Sequence, residues 1–207
     1  MSVLSQTPSL LLGTRNTGKL REIEVVLGDV PWRFRSLLEF KEVGVAAETG
    51  QTYSDNATAK AQFYAGETGV CALADDSGLE VTALGGAPGV FSARYAGSNA
   101  SDADRRSLLL SELAKKSAQN REARFVCAVA IAKPDGTVLN ISEGVCNGRI
   151  ISAPRGEGGF GYDPLFVPDG FNQTFAELAD SIKNQISHRA RALLKTREFL
   201  RSKRVGF

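Results

Sequence analysis

The sequence predicts an α/β fold with a mixed central β-sheet and flanking helices. Helix-like and strand-like patterns alternate along the chain, which is typical of helices packed on a sheet. Residues 124–132 and 138–145 are both strand-like, and the turn sequence Pro134-Asp135-Gly136 between them predicts a hairpin. Because a hairpin joins antiparallel strands, it argues against a purely parallel sheet. A chain of 207 residues with 43% hydrophobic content can also bury one sizeable core.

In the first part of the chain, short apolar runs alternate with helical patterns. The apolar runs predict strands at residues 9–13, 32–37 and 71–74, the last ending at Asp75-Asp76. The segments between them predict an amphipathic helix at 17–27 and an alanine-rich helix with a polar face at 52–64. We therefore expect strands and helices to follow one another in turn up to the acid pair.

The second part is less regular. Residues 78–97 and 154–164 are rich in glycine and are expected to be irregular. Ser101 is a plausible N-cap for a helix through Lys116, because acidic residues follow it in the first turn. Residues 184–201 predict one long basic helix at the end of the chain. Residues 9–201 should form one domain, or one with two closely packed lobes, between a flexible tail at 1–8 and a tail at 202–207.

Composition limits the function classes. The formal net charge of +2 and the pI near 8.5 are too mild to imply a polyanion partner, so we expect no nucleic acid partner. Residues 1–8 contain no basic residue and no long apolar stretch, so we expect no signal peptide, no membrane partner and a cytoplasmic location. Cys71, Cys127 and Cys146 are far apart, which predicts buried reduced thiols.

A glycine loop joins the first strand to the first helix. Residues 13–19 read G-x-x-x-x-G-K, the phosphate-loop pattern, but Leu20 stands where that pattern needs Ser or Thr for Mg²⁺. A helix N-terminus with Lys19 and short polar side chains can still bind a triphosphate. A capped turn with a solvated lysine explains the same residues equally well.

Two acidic segments are candidates for a metal site. Asp75-Asp76-Ser77-Gly78 follows an apolar strand, and Glu48-Thr49-Gly50 lies in a predicted loop. Neighbouring acids on a strand point to opposite faces, so one of the pair faces a given site. Carboxylates from the two segments could hold Mg²⁺ and leave water positions for phosphate oxygens. Taken alone, the acid pair could instead cap a turn before Gly78.

A second glycine loop and the only histidine complete the candidate residues. Residues 156–164 place Phe160 and Tyr162 among four glycines, where an aromatic ring could stack on a base. His188 alone cannot build a zinc site. Arg189 beside it has a planar set of donors suited to phosphate or a purine carbonyl, and Lys183 precedes it by six residues. Aromatic rings buried in the core are the alternative interpretation of this loop.

Together these segments resemble the inosine triphosphate pyrophosphatase family, also called XTP/dITP diphosphatases. The resemblance runs from about Leu10 to Leu200. The motifs that carry it occur in order: T-x-N-x-x-K at 14–19, E-T-G at 48–50, N-A-x-x-K-A at 56–61, A-D-D-S-G-L at 74–79, G-G-A-P-G-V-F-S-A-R-Y at 85–95, G-G-F-G-Y-D-P at 158–164 and I-S-H-R at 186–189. Seven motifs in register over one chain make a chance match implausible.

The resemblance implies a role for each matching residue. Glu48 and Asp76 would coordinate Mg²⁺, and Asp76 would also accept the proton of the attacking water. The substrate would be bound by Thr14, Arg15, Asn16, Thr17, Gly18, Lys19, Ser77, Phe160, Gly161, Tyr162, Asp163, Lys183, His188 and Arg189. The family fold has two lobes around a substrate cleft, usually in a homodimer. Where the family commonly has glycine this chain has Arg15, which affects the expected substrate preference and not the reaction.

The implied reaction is hydrolysis of ITP, dITP or XTP to the monophosphate and pyrophosphate. Attack at the α-phosphorus would be assisted by Asp76, with Asp75 as a supporting residue, and Lys19 and Lys183 would stabilise the leaving group. Donors facing the purine 6-carbonyl would disfavour adenine. A phosphate-loop kinase or GTPase is a rival interpretation, and Leu20 argues against it. An RNA-binding protein with a basic C-terminal helix is another, and the acid pair argues against it.

Overall fold

The computed structural model describes residues 7–116 and 119–203. Within them the strands are β1 (Ser9–Leu12), β2 (Arg33–Ser36), β3 (Ala72–Val81), β4 (Glu122–Ala132), β5 (Val138–Ile150) and β6 (Phe166–Pro168). The α-helices are α1 (Thr17–Leu27), α2 (Tyr53–Thr68), α3 (Asp102–Lys115), α4 (Asp180–Ile186) and α5 (His188–Ser202). Most of the two expected tails, residues 1–6 and 204–207, lies outside the described residues, and the domain limits stay a prediction.

The six described strands form one sheet in the order β2-β1-β3-β4-β5-β6. β1 pairs in parallel with both β2 and β3, whereas β5 and β6 are antiparallel. The prediction of a mixed sheet with flanking helices is therefore confirmed. The turn between β4 and β5 also lies where it was predicted, since Lys133 N–H donates to Thr137 and Gly136 has a φ of 85°.

Local sequence signals account for where the predicted helices begin. Asn16 accepts a hydrogen bond from the backbone of Lys19 at the start of α1, whose predicted bounds are confirmed. Capping boxes start α2, from Thr52, and α3, from Ser101. α2 runs four residues beyond the predicted end at residue 64, to Thr68, because its terminating glycine in the left-handed conformation is Gly69.

The prediction that the third strand ends at residue 74 is wrong. β3 continues through Asp75 and Asp76 to Val81, so the acid pair lies in the middle of a strand. The prediction of an irregular segment from residue 78 is also wrong for residues 78–81, because they belong to β3. The apolar residues Leu79 and Val81 are fully buried, and their burial favours continued pairing beyond the acids. Short 3₁₀ segments follow at Thr82–Leu84 and Gly89–Arg94.

The single long helix predicted for residues 184–201 is also wrong. The structure has α4 and α5, separated at Ser187, whose φ of −66° and ψ of 158° are extended. The backbone N–H of Ser187 donates to the carbonyl of Lys183 and so closes α4. Serine is favoured immediately before a helix, which explains a new start at His188 without glycine or proline.

The chain divides into two compact units. Unit 1 contains the described residues up to Asp76, Ala128–Glu143 and the described residues from Ala190 onward. Unit 2 contains Ser77–Cys127 and Gly144–Arg189. The substrate cleft implied by the resemblance stays a prediction.

Each unit has an apolar cluster of its own. In unit 1 the cluster includes Leu11, Leu37 and Tyr64. In unit 2, Phe125 packs edge-on against Phe166, with ring centroids 4.7 Å apart. Burial of these side chains stabilises the two units by the hydrophobic effect.

Cys71, Cys127 and Cys146 form no disulfide, but their burial differs. Cys127 and Cys146 are buried, as expected, whereas Cys71 is only partly buried, so the prediction is wrong for that residue. Cys71 immediately precedes β3, which begins at Ala72. Among residues 7–116 and 119–203, no helix combines the length and apolarity needed to cross a bilayer.

Candidate active site

In unit 1, one ammonium group joins two of the predicted carboxylates. Lys60 Nζ donates to Glu48 Oε1 at 2.7 Å and to Asp76 Oδ1 at 2.9 Å. Lys60 comes from α2, Asp76 from β3 and Glu48 from the segment before α2. Lys60 and Asp76 are buried, and the Glu48 side chain is 30% exposed. The two acids therefore converge on a single point of positive charge.

An amide fixes the second oxygen of Asp76. Asn56 Nδ2 donates to Asp76 Oδ2 at 3.1 Å, and Asn56 Oδ1 accepts from the backbone of Gly50 at 2.8 Å. A Cβ atom on Gly50 would lie 2.7 Å from the Cβ of Asp55 and 2.8 Å from Asn56 Oδ1. Only glycine allows this approach, which explains the glycine of the E-T-G segment. The segment carrying Glu48 is thereby tied to the amide that orients Asp76.

The charged groups of this cluster shift one another's pKa values. Burial raises the pKa of Asp76 above its ordinary value, and the positive charge of Lys60 offsets only part of that effect. For Lys60, burial alone disfavours the ammonium form, but the charges of Asp76, Asp75 and Glu48 outweigh it and raise the pKa. In the metal-free protein the buried Asp76 carboxyl is therefore easier to protonate than an exposed aspartate.

The acid next to Asp76 has a different partner. Asp75 lies 3.0 Å from Lys19 Nζ and is 2% exposed. Because successive side chains of a strand point to opposite faces, Asp75 meets a lysine of α1 and Asp76 meets a lysine of α2. Connections between parallel strands are right-handed as a rule, so a step from β1 to β2 and a return step from β2 to β3 should place α1 and α2 on opposite faces of the sheet. The expectation that the two acids face opposite ways is thus confirmed.

The loop before α1 is held by its own short side chains. Thr14 Oγ1 accepts from the backbone of Asn16 at 3.2 Å, and Asn16 Oδ1 accepts from the backbone of Lys19 at 3.0 Å. Thr17 and Gly18 form the first turn of α1, with Thr17 exposed. The loop thus presents the positive end of a helix together with a lysine, as an anion site requires.

Arg15 reaches away from that helix end. Its Nη2 donates to the backbone carbonyl of Val43 at 2.6 Å. Val43 is buried in the cluster of unit 1, five residues before Glu48. Arg15 therefore ties the loop before α1 to the segment that carries a candidate metal ligand. Its predicted contact with substrate stays a prediction.

The donor set of Glu48 and Asp76 fits a hard divalent cation. Both carboxylates lie within 3 Å of the same Lys60 nitrogen, so they already share one cationic centre. Among the described residues, no group of three or more His, Cys, Asp or Glu side chains could enclose a metal ion. Mg²⁺ in phosphate-transfer sites is commonly held by one or two carboxylates together with water and substrate oxygens, so two ligands suffice.

In unit 2, an ion pair lies beside an aromatic ring of the second glycine loop. Lys183 Nζ lies 2.7 Å from Asp163 Oδ2, and both side chains are 5% exposed. The same nitrogen is 5.0 Å from the centroid of the Phe160 ring, and Phe160 N–H donates to Asp163 Oδ2 at 2.9 Å. A Cβ on Gly159 would lie 2.1 Å from that oxygen, so the pair requires glycine there. The structure thus brings these predicted residues together.

The start of α5 places the remaining predicted residues of unit 2. Arg189, which is 2% exposed, donates from Nη2 to Ser77 Oγ at 2.8 Å, and its guanidinium lies 5.6 Å from the Phe160 ring centroid. His188 stacks on Phe125 with ring centroids 4.6 Å apart and an interplanar angle of 10°. The helix break at Ser187 sets both residues at the first turn of α5, which the sequence did not predict.

Two residues of the site were given no role from the sequence. Lys60 and Asn56 belong to the quoted N-A-x-x-K-A motif, but no chemistry was assigned to them. Their spacing was the available signal, because residues four apart on a helix share one face.

A cavity of about 480 Å³ in unit 2, lined by Glu80, Glu122 and Asp169 among others, includes none of the predicted site residues in its described lining.

Comparison with known proteins identifies the family. The model of the Ham1 family matches residues 10–199. The chain belongs to the Ham1 family. Ham1 relatives named dITP/XTP pyrophosphatase, from Desulfotalea psychrophila and Geobacter sulfurreducens, are each 47% identical to it. Those matches cover 90% and 92% of this chain and 82% and 96% of the relatives.

Solved Ham1 structures share the fold. A HAM1 protein from Coxiella burnetii superposes with a TM-score of 0.87 at 42% identity, covering 94% of this chain and 99% of that one. A nucleoside-triphosphatase / dITP/XTP pyrophosphatase from Mycobacterium abscessus gives a TM-score of 0.73 at 41% identity, covering 91% and 98%. The resemblance inferred from the motifs is therefore confirmed.

Proposed function

We propose that this protein hydrolyses deaminated purine nucleoside triphosphates, namely ITP, dITP and XTP, to the monophosphate and pyrophosphate, and so removes them from the nucleotide pool. The observation that carries the proposal is the convergence of Glu48 and Asp76 on one cationic centre in a member of the Ham1 family. Relatives that are 47% identical over most of the chain are named dITP/XTP pyrophosphatases.

The phosphate groups are proposed to bind at the start of α1. Lys19 supplies a full positive charge, and the first backbone N–H groups of the helix supply partial ones. Thr14 and Asn16 hold the loop that presents these groups. Asp75 keeps the Lys19 ammonium at a fixed position before substrate arrives, 3.0 Å from its own carboxylate. This preorganised charge lowers the cost of stabilising the pyrophosphate leaving group.

Asp76 is proposed as the proton acceptor for the attacking water. Its two oxygens are fixed by Lys60 and Asn56, so the carboxylate is oriented before the reaction. In the metal-free protein, burial raises its pKa above the ordinary value of an aspartate. Glu48 and Asp76 would hold Mg²⁺, which when bound neutralises charge on the phosphate oxygens.

The base is proposed to contact unit 2. Phe160 offers an aromatic surface for stacking, and Arg189 and His188 carry donors suited to the carbonyl of a deaminated purine. Adenine presents an amino group at that position, and a buried donor left without an acceptor costs about 1–3 kcal/mol. Ser77, which accepts from Arg189, is proposed to contact the substrate as well.

The homodimeric assembly follows from the same resemblance. We propose that the protein is a homodimer in the cytoplasm. Light scattering at several protein concentrations tests the first statement, because a dimer has twice the mass of the 22.1 kDa chain. Cell fractionation tests the second.

The deciding experiment compares substrates and products in parallel. Purified protein is incubated with Mg²⁺ and ITP, XTP, dITP, GTP or ATP, and the monophosphate, diphosphate, pyrophosphate and orthophosphate are resolved. IMP and XMP together with pyrophosphate, with little product from ATP or GTP, support the proposal. Diphosphate with orthophosphate would contradict the bond proposed for cleavage, and equal turnover of all bases would contradict the proposed selectivity.

A further inference from the structure

The backbone N–H and the carbonyl of Gly161, which belong to two successive peptide units, are both hydrogen-bonded to the first two turns of α3. Its backbone N–H donates to Asp102 Oδ2 at 2.7 Å. Its carbonyl oxygen accepts from Arg106 Nη1 at 2.8 Å. Both partners are charged, and hydrogen bonds to charged groups are stronger than those between neutral groups. We call these two contacts the Gly161 clamp.

The clamp acts on a tight turn of the second glycine loop. The N–H of Asp163 donates to the carbonyl of Phe160 at 3.2 Å, which closes a four-residue turn. Gly161 has a φ of +60°, and Tyr162 has a φ of −95° and a ψ of 4°. These values match a type II′ turn, in which glycine is favoured at the first central position. Fixing the Gly161 backbone therefore fixes the direction of the whole turn.

The turn carries Phe160, which the proposed function assigns to the base, and Asp163, which pairs with the buried Lys183. Phe160 precedes the clamped glycine, and Asp163 follows two residues later and pairs with Lys183. Tyr162 anchors the other side of the turn, since its buried hydroxyl donates to the backbone of Ser92 at 3.0 Å. A rotation of the Gly161 backbone would shift the Phe160 ring away from the Lys183 nitrogen, which now lies 5.0 Å from its centroid.

Asp102 is held in place for this contact. Its other oxygen pairs with Arg105, which also donates to the carbonyls of Ala93 and Ala100. Asp102 takes no part in the capping box of α3, in which Asp104 accepts from Ser101. The Asp102 carboxylate thus binds the second glycine loop, whereas Asp104 caps α3.

We propose that Asp102 and Arg106 are positioning residues that set base selectivity by fixing the Gly161 backbone. The inference rests on the proposed function and adds residues that touch neither phosphate nor metal. When the turn loosens, contacts to the favoured purine are lost, whereas the disfavoured purine has few such contacts to lose. The preference for ITP over ATP should therefore fall, and the fall should exceed that of a variant with a similar loss of stability and an intact clamp.

The test compares Asp102→Ala with the matched control Asp104→Ala. The control removes an acid from the same turn of α3 and breaks its capping box, but leaves the Gly161 clamp intact. We expect Asp102→Ala to lower the ratio of kcat/KM for ITP to that for ATP about tenfold. We expect Asp104→Ala to lower Tm and leave the ratio within about twofold of the wild type. Asp102→Asn, which keeps an acceptor oxygen, should restore most of the ratio.

A second readout does not depend on activity. Residue-resolved amide exchange by NMR should show faster exchange at Gly161 in Asp102→Ala and in Arg106→Ala, and not in Asp104→Ala. Any one of three results overturns the inference. The first two are unchanged amide exchange at Gly161 and an unchanged ratio of kcat/KM for ITP to that for ATP in Asp102→Ala. The third is an equal change of that ratio in Asp104→Ala. If Asp102→Ala does not fold, Arg106→Ala is judged by the same two criteria. Wild-type protein that does not hydrolyse ITP overturns the proposed function, while exchange at Gly161 still decides the clamp.

Discussion

Lys60 Nζ lies 2.9 Å from Asp76 Oδ1, and both side chains are more than nine-tenths buried. Lys60→Met should destabilise the metal-free protein by about 3 kcal/mol, because it leaves buried negative charge without a partner. Mg²⁺ should then raise the Tm of the variant more than that of the wild type, since the metal replaces the lost charge. Thermal unfolding with and without Mg²⁺ measures both effects.

The control for that variant is Lys115→Met. Lys115 pairs with Glu112, but its side chain is 67% exposed, so its loss should leave the Tm unchanged. A Lys60→Met protein as stable as the wild type, with the same response to Mg²⁺, would contradict the view that Lys60 balances the carboxylates.

Asp76→Asn should lower kcat by at least about hundredfold, because it removes the proposed proton acceptor. The amide is close in size to the carboxylate, and the fold should survive the exchange. Asp75→Asn is the comparison, since Asp75 holds Lys19 and not the proposed nucleophile. Its loss of kcat should be smaller than that of Asp76→Asn, because Lys19 keeps its own charge when Asp75 is neutralised. Steady-state kinetics with ITP decide, and an Asp76→Asn enzyme within about threefold of the wild-type kcat would rule Asp76 out.

Gly50→Ala should impair both stability and turnover. The new Cβ would lie 2.8 Å from the oxygen of Asn56 that accepts from Gly50, so the amide that orients Asp76 must move. Gly44→Ala in the same segment is the matched control, because the atom closest to its Cβ would be 3.9 Å away, on Phe63. That change should be neutral or slightly stabilising. Equal losses in the two variants, in unfolding and activity assays, would count against the role of Gly50.

Arg15→Ala should destabilise the protein by about 1 kcal/mol through the loss of the hydrogen bond to Val43. It should also weaken the response of stability to Mg²⁺, since the tethered segment carries Glu48. Arg21→Ala, an exposed arginine of α1, serves as control. Denaturant unfolding with and without Mg²⁺ measures the difference, and identical results for the two variants would show that the tether has no effect.

The stability difference between the wild type and Asp102→Asn should depend on pH. Burial alone would raise the pKa of Asp102, but hydrogen bonds from Arg105 and Gly161 outweigh it and lower the pKa below the ordinary 3.8. Because the pKa of Asp102 is lower in the folded state than in the unfolded state, the ionised carboxylate stabilises the fold at pH values above the unfolded-state pKa. That stabilisation is lost as the pH falls through the pKa of Asp102 in the folded state. Unfolding free energies should therefore differ at neutral pH and converge below pH 3.8. A difference that stays constant would contradict the contact.

Local signals in the sequence were sufficient for most elements. The bounds of α1 were predicted from its amphipathic pattern and the start of α3 from its N-cap Ser101, because both signals lie within the element itself. The continuation of β3 past Asp76 was missed, since the stabilising partner Lys60 lies sixteen residues away. The break at Ser187 was missed because no glycine or proline marks it.

The sequence by itself determined the family, the alternation of helices and strands and the candidate carboxylates. Those features depend on residue order, local capping and hydrophobic periodicity. Only the tertiary structure decided that Lys60 joins Glu48 to Asp76, that Arg15 turns to Val43 and that α3 holds Gly161. Such contacts join residues 12 to 59 positions apart, and their geometry depends on how helices pack on the sheet. Periodicity and spacing describe single elements, so they carry no information about which elements meet.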